Sequence, residues 1–135
     1  MTERWKKWMP VKGLPPIMYN NLLVDGEEGV ILNFSDENDT KRIIVKFDCN
    51  VLSYRNTDEG SLMKMLIFLD ENYGSSFYYN WSIFKATNTA YINWFLEESS
   101  GIYKADEIHH YIFLTPHDVI EVLSIDIPSI RVENI

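Results

Sequence analysis

The strongest constraint on the fold is a pair of alternating segments separated by a short polar run. In "VILNFS" (30–35) and again in "RIIVKF" (42–47), apolar side chains recur at every second position, and the polar tip "SDENDT" lies between the two segments. Because successive strand residues point to opposite faces, this period predicts an antiparallel hairpin with one buried face. The side chains predicted to be buried together are Val30, Leu32, Phe34, Ile43, Val45 and Phe47.

The remaining segments predict helices and strands that would pack with this hairpin. Residues 61–74 have leucines at helical spacing, with Ser61 as a candidate cap and Gly74 as the end, and they predict a helix, although alternating apolar residues also allow a buried strand. Residues 88–101 predict a second helix that Asn88 or Thr89 would cap. Its expected buried stripe consists of Tyr91, Trp94, Phe95 and Ile92. Residues 78–87 have the aromatic and β-branched bias of a strand. We therefore predict an α+β fold, with a mostly antiparallel sheet built from hairpins and two helices packed on one face.

Residues 116–125 are ambiguous between helix and strand. Thr115, Pro116 and Asp118 would suit the start of a helix, whereas the β-branched residues that follow, and Pro128 beyond them, favour a strand. We favour a second hairpin that turns at residues 115–118.

The first residues differ in composition from the rest. Residues 9–16, "MPVKGLPP", contain three prolines and a glycine, so residues 1–18 are predicted to form an extended arm and residues 19–135 one α+β domain. Trp5 and Trp8 are expected to fold back onto that domain. "VLSYR" (51–55) is expected to extend the second arm of the first hairpin, with a kink around Cys49 and Asn50.

Charge and composition exclude several classes of function. The net charge is −8, and because residues 1–12 carry a balance of +3, the rest of the chain carries −11. A body this acidic repels phosphate backbones and attracts basic partners, so we expect a protein partner and no nucleic acid. No apolar run is long enough to span a membrane, and the only cysteine, Cys49, excludes an internal disulfide. A cytoplasmic protein with a buried thiol is predicted, and the oligomeric state stays open.

All three histidines lie in "DEIHHYIFLTPHDVIEVL" (106–123) among four acidic residues. Adjacent strand residues point to opposite faces, so His109 and His110 are predicted to diverge and not to bind one metal ion. His110 and His117 would meet only across the turn. The stretch is therefore interpreted as structural, with no metal, no cofactor and no catalytic residue assigned.

Two further segments carry candidate binding residues. In "YRNTDEG" (54–60), Arg55 is expected to pair with Asp58 or Glu59, and in "WFLEESS" (94–100) Glu97 and Glu98 are expected on the outer face of a helix. The predicted partner-binding acids are Asp58, Glu59, Glu97 and Glu98. The alternative is an aromatic pocket between helices and sheet, lined by Tyr54, Arg55, Trp81, Trp94 and His110.

The order of these segments resembles a group of small proteins of Firmicutes. The segments are, in this order, the first hairpin, "YRNTDEG", "NTAYINWFLEESSGIY" and "HHYIFLTPHDVIEVLS", which a proline follows. Several proteins of that group look like immunity partners of secreted polymorphic toxins. The resemblance implies a catalytically inert protein that binds and blocks a toxin domain, and it assigns no individual residue.

The leading hypothesis is thus a non-catalytic cytoplasmic protein-binding domain with an acidic binding surface. The alternative is a small-ligand-binding domain or enzyme that uses the aromatic pocket. A deep apolar cavity with converging polar groups would favour the alternative.

Overall fold

The protein is described here by a computed structural model in which residues 2–135 are placed. Within these residues, nine strands form two antiparallel sheets, one of five strands in the order β1-β6-β7-β8-β5 and one of four in the order β2-β3-β4-β9. The strands are β1 (Arg4–Lys7), β2 (Met18–Gly26), β3 (Gly29–Asp36), β4 (Lys41–Phe47), β5 (Val51–Asp58), β6 (Ile83–Thr87), β7 (His109–Leu114), β8 (Asp118–Ser124) and β9 (Ser129–Asn134).

Three helices complete the fold: α1 (Met63–Tyr73), α2 (Ser76–Tyr79) and α3 (Ala90–Glu98). One face of the five-stranded sheet packs on the four-stranded sheet, and its other face is covered by the helices. The result has three layers, because a sheet with two apolar faces must bury both. The predicted α+β class is confirmed, with two sheets and the short α2 in addition to the two predicted helices.

The first hairpin has the predicted register. Val30 pairs with Phe47, Leu32 with Val45 and Phe34 with Ile43, and all six side chains are buried between the sheets. The β2–β3 turn depends on Gly29, because a Cβ there would lie 2.0 Å from the Phe47 carbonyl oxygen. The expectation that "VLSYR" continues this hairpin is wrong. Asn50 adopts the left-handed conformation (φ 60°), and β5 leaves for the other sheet, where it pairs with β8.

The second hairpin also forms as favoured. β7 and β8 pair from His109 opposite Ser124 to Leu114 opposite Val119, so residues 118–124 are strand and not helix. The turn is held by Thr115, whose hydroxyl accepts hydrogen bonds from the backbone N–H groups of His117 and Asp118 at 3.2 and 3.0 Å. A threonine hydroxyl can accept hydrogen bonds from backbone N–H groups both at the start of a helix and in a turn. Residues 115–118 therefore resemble a helix start in sequence although they form a turn.

The N-terminal residues are extended, but they belong to the five-stranded sheet. Arg4–Lys7 pair with β6, and the indole of Trp5 is buried under the helices. Trp8 packs on Tyr111 with 4.9 Å between ring centroids. Residues 4–7 therefore complete one edge of the sheet.

The helices differ from the predictions in detail. Leu62 and not Ser61 occupies the N-cap of α1, whereas Thr89 caps α3 as expected by accepting a hydrogen bond from the Ile92 N–H at 3.1 Å. Tyr91 and Ile92 are buried on the side of α3 that faces the sheet. Trp94, which is expected on the same side of the helix, is 49% exposed. The helix lies at the β5 edge, where the sheet covers only part of its circumference.

Candidate functional site

Four elements bring polar side chains together on the helix-covered face of the five-stranded sheet. Alternation along β5, β7 and β8 directs Arg55, His110 and Glu121 to that face, and Thr89 reaches it from the start of α3. Arg55 and Glu121 lie directly opposite each other in the ladder. The register of the strands therefore brings these polar side chains together.

The four side chains form one continuous hydrogen-bonded network. The Arg55 guanidinium donates from Nε to Glu121 Oε2 at 2.6 Å and from Nη2 to Oε1 at 3.1 Å. His110 Nε2 lies 3.0 Å from Glu121 Oε1, and His110 Nδ1 lies 2.8 Å from the Thr89 hydroxyl. Because Glu121 is fully buried and His110 is 2% exposed, these bonds replace solvation that both groups have lost.

The network controls the ionisation of Glu121. Burial by itself would raise the pKa of this carboxyl, but hydrogen bonds from His110 and Arg55, together with their charges, outweigh burial and lower its pKa below the ordinary value. Glu121 is thus held as a buried carboxylate by its two partners.

Hydrogen bonds join Thr89 to His110 and His110 to Glu121, in the order of a nucleophile, a base and an orienting acid. Its geometry does not suit nucleophilic catalysis, because a nucleophile must reach a substrate. The Thr89 side chain is 4% exposed, and its oxygen is already engaged as the cap of α3. The chain of bonds therefore fixes α3 on the sheet.

The outer end of the network opens into a surface groove between β5 and α3. This β5–α3 groove encloses about 510 Å³ and is lined by Ser53, Tyr54, Arg55, Ala90, Tyr91 and Trp94. The Arg55 guanidinium lies 4.0 Å from the centroid of the Tyr91 ring, which in turn stacks on Trp94 at 5.8 Å. Tyr54 donates its hydroxyl hydrogen to Asp25 at 3.1 Å.

A smaller cavity of about 230 Å³ lies above the buried part of the network. Its polar lining residues are Glu3, Arg55, Lys64, Thr89, His110 and Glu121, and α1 with the residue before it supplies an apolar wall of Leu62, Met65 and Phe68. Polar groups therefore converge on an apolar space here, although the volume is below the range of about 300–1,000 Å³ usual for ligand pockets.

The predicted pocket residues are only partly brought together. Tyr54, Arg55 and Trp94 share the β5–α3 groove, and His110 lies in the adjoining cavity. Trp81 is elsewhere: it packs between the sheet and the first two helices and donates its indole N–H to the Trp8 carbonyl at 2.9 Å.

None of the predicted partner-binding acids lines the groove. Glu97 and Glu98 are exposed in the last turn of α3, one turn beyond Trp94. Asp58 is exposed at the end of β5, and Glu59, half-buried, begins a 3₁₀ turn. Arg55 pairs with neither Asp58 nor Glu59, because those residues follow it along the strand whereas Glu121 faces it across the ladder.

The histidines diverge as the strand period predicts. His109 packs beside Tyr111 on the face opposite to that of His110, and His117 lies in the β7–β8 turn with its ring 5.7 Å from that of Tyr19. Among residues 2–135, no group of three or more His, Cys, Asp or Glu side chains is placed to bind a metal ion.

Glu121 was missed by sequence reasoning, although a signal was present. In "VIEVL" the strand period places Glu121 on the same face as Val119 and Leu123, both of which are fully buried. A lone acid between two core positions requires a cationic or hydrogen-bonding partner, which indicates a buried polar network.

Cys49 was expected to be buried, and it is exposed beside Asp126. Its thiol donates a weak hydrogen bond to that carboxylate, and this contact, with a smaller contribution from burial, raises the pKa of the thiol. In the described part of the chain, no helix combines the length and apolarity needed to cross a membrane.

Comparison of the chain with models of protein families, with curated proteins and with solved structures finds no match.

Proposed function

We propose that this protein is a non-catalytic protein-binding domain that recognises a basic partner protein through the β5–α3 groove and the acids around it. Its most concrete form is a cytoplasmic immunity protein that blocks a toxin domain, as the resemblance drawn from the order of its segments implies.

The observation that carries the proposal is the set of exposed side chains in the groove. Trp94 is 49% exposed, Tyr54 is 36% exposed and the Arg55 side chain is 46% exposed. Trp, Tyr and Arg are the residue types that most often dominate the energy of protein–protein binding. Their grouping on one surface supports a partner-binding role more directly than any other feature of the molecule.

These side chains are held before any partner arrives. Arg55 is fixed by two hydrogen bonds to Glu121 and by contact with the Tyr91 ring, and Trp94 is supported by the same ring. A pre-organised anchor loses less conformational entropy on binding than a mobile one. The buried network thus supports the binding surface from below.

Charge favours a basic partner. The whole chain carries −8, and Asp25, Asp58, Glu97 and Glu98 lie beside or beyond the groove. Complementary charge raises association rates by long-range attraction, and its effect weakens as salt screens it.

A second candidate, a small-ligand-binding domain or enzyme, is favoured by the cavity above His110 and Glu121. Its polar wall faces the apolar side chains of Leu62, Met65 and Phe68. In that case, filling the cavity by Met65→Phe would abolish ligand binding, whereas exposed groove residues would matter little.

The test begins with a partner captured from the native cell by the tagged chain, followed by stopped-flow binding of the purified pair. We expect Trp94→Ala to weaken binding at least about 30-fold, the effect of a hot-spot residue. Tyr79→Ala is the matched control, because Tyr79 is an aromatic residue 64% exposed outside the groove. Equal affinity of the two variants would overturn the assignment of the surface.

Charge reversal tests the electrostatic part. Glu97→Lys/Glu98→Lys should slow association and reduce its salt dependence, while Glu37→Lys/Glu71→Lys makes the same change in net charge at exposed positions outside the groove. If both double variants slow association equally, the attraction comes from net charge alone and the acids near the groove have no special part.

A further inference from the structure

A cluster of positive side chains lies at the opposite edge of the five-stranded sheet from the β5–α3 groove. β1 and β6 pair with Lys6 opposite Lys85, and Arg4 and Lys6 share one face of β1 because they flank Trp5. Lys85 in turn lies opposite Tyr111, two residues beyond His109 in β7. Strand register therefore gathers three permanent cations and an imidazole on one surface.

These residues line a cleft of about 530 Å³, here called the β1–β6 cleft. Its charged and polar lining consists of Arg4, Lys6, Lys85, Thr87, Asp106, His109 and His110. Three cations and one carboxylate leave a balance of two positive charges in this cleft, on a chain whose net charge is −8.

The cations lack partners of opposite charge. Within residues 2–135, the ion pairs are Lys46–Asp48, Arg55–Glu121, His110–Glu121 and Arg131–Glu133, and none of them involves Arg4, Lys6 or Lys85. Burial and the nearby charge of Lys6 lower the pKa of Lys85, and burial and the charge of Lys85 lower the pKa of His109. The cleft thus holds like charges close together in a partly desolvated place.

Protection of a sheet edge explains only part of this arrangement. Lysines on an edge strand discourage pairing with other chains, which accounts for Lys6 and Lys7 on β1. Lys85 and His109 are half-buried on inner strands, where no edge needs protection. The Lys85 ammonium is held 5.9 Å from the Trp8 ring and 5.4 Å from the Tyr111 ring, so its position is fixed.

We propose that the β1–β6 cleft binds a phosphate-bearing small molecule. A phosphate dianion matches the balance of two positive charges, whereas a single carboxylate would leave one cation without a counter-charge. Arginine and lysine are the side chains that bind phosphate most strongly, through charge-assisted hydrogen bonds. The His109 ring and the Thr87 hydroxyl supply further polar contacts at the wall of the cleft.

The probes are inorganic phosphate and phenyl phosphate, titrated by calorimetry against sodium chloride of matched ionic strength. Both should bind, and Lys85→Met and Lys6→Met should each weaken binding about tenfold or more, since each removes one charge-assisted contact. Lys46→Met is the control, because Lys46 pairs with Asp48 outside the cleft. Phenyl phosphate binding more tightly than phosphate would identify an organic phosphate as the ligand, and equal affinities would identify free phosphate.

A nuclear magnetic resonance readout locates the binding. The His109 ring signal should move on addition of phosphate while the His117 signal, in the β7–β8 turn, stays in place. Absence of binding beyond the chloride control, or equal weakening by Lys46→Met and Lys85→Met, would overturn the proposal. Lys6 is exposed on an edge strand, so Lys6→Met keeps the test decisive even if Lys85→Met does not fold.

Discussion

The two faces of the five-stranded sheet are built by different physical means, although the same strands supply both. Toward the four-stranded sheet, β7 and β8 present Tyr111, Phe113, Ile120 and Val122, all fully buried. Toward the helices, the same strands place His110 and Glu121 among apolar neighbours. The first face is held by packing, which depends on volume, and the second adds directed hydrogen bonds, which depend on the identity of each partner.

The largest expected effect is on the packed face. Phe47→Ala should lower the free energy of unfolding by about 3–5 kcal/mol, because it leaves a cavity between the sheets. Phe47 is 2% exposed and meets the edge of the Tyr111 ring at 5.7 Å. Denaturant melts measure the change, and Leu22→Ala, at a position 50% exposed, is the control. A loss below about 1 kcal/mol would mean that packing does not hold this face.

On the polar face, Glu121→Gln should lower the free energy of unfolding by about 1–3 kcal/mol, because it keeps the volume but removes the charge that Arg55 and His110 bind. The control is Glu133→Gln, which alters an exposed pair with Arg131 and should leave stability unchanged. Equal stabilities of the two variants would show that the buried network contributes no more than a surface pair.

The effect of Glu121→Gln on the free energy of unfolding should depend on pH, and this dependence distinguishes the contribution of the charge from that of packing. Since the pKa of Glu121 is lowered on folding from its ordinary value of 4.5, the carboxylate contributes stability in full above that value. The contribution is lost as the pH falls through the lower pKa of the folded state. The gap between the native chain and Glu121→Gln should therefore shrink as the pH falls below about 4. A gap that stays constant into acid would assign the effect to packing alone.

The smallest effect is expected at a buried polar group on the packed face. The Tyr111 hydroxyl is buried and has no hydrogen-bond partner among the described residues, and burial raises the pKa of Tyr111 to about 12. Tyr111→Phe should leave stability unchanged or raise it by up to about 1 kcal/mol, since a buried donor without a partner is costly. Thermal melts would reveal a loss of stability instead if the hydroxyl makes a necessary bond.

The two faces also differ in how far the sequence predicts them. The packed face follows from local alternation, so the pairing of Val30 with Phe47 can be predicted from residues 30–47 alone. The polar face joins Arg55 to Glu121 across 66 positions and His110 to Thr89 across 21. Local reasoning pairs Arg55 with its neighbours Asp58 and Glu59, and only the order of the strands reveals the actual partner.

The exposed position of Trp94 is unpredictable for a related reason. Helical spacing places Trp94 beside the buried Tyr91, but spacing does not say where the underlying sheet ends. Because β5 is an edge strand, the side of α3 that carries Trp94 extends beyond it. The β5–α3 groove is thus a consequence of sheet boundaries, which are set by the whole chain.

The pairing of β1 with β6 sets an order of events during synthesis on the ribosome. Arg4 pairs with Thr87, so β1 must wait after its synthesis for a partner made 83 residues later. At roughly 5–20 residues per second, that delay is on the order of 4–17 s. The cations of the β1–β6 cleft can assemble only after this wait, and the four-stranded sheet is completed later still by β9. Such long-range pairing slows folding because distant segments must meet before any contact stabilises them.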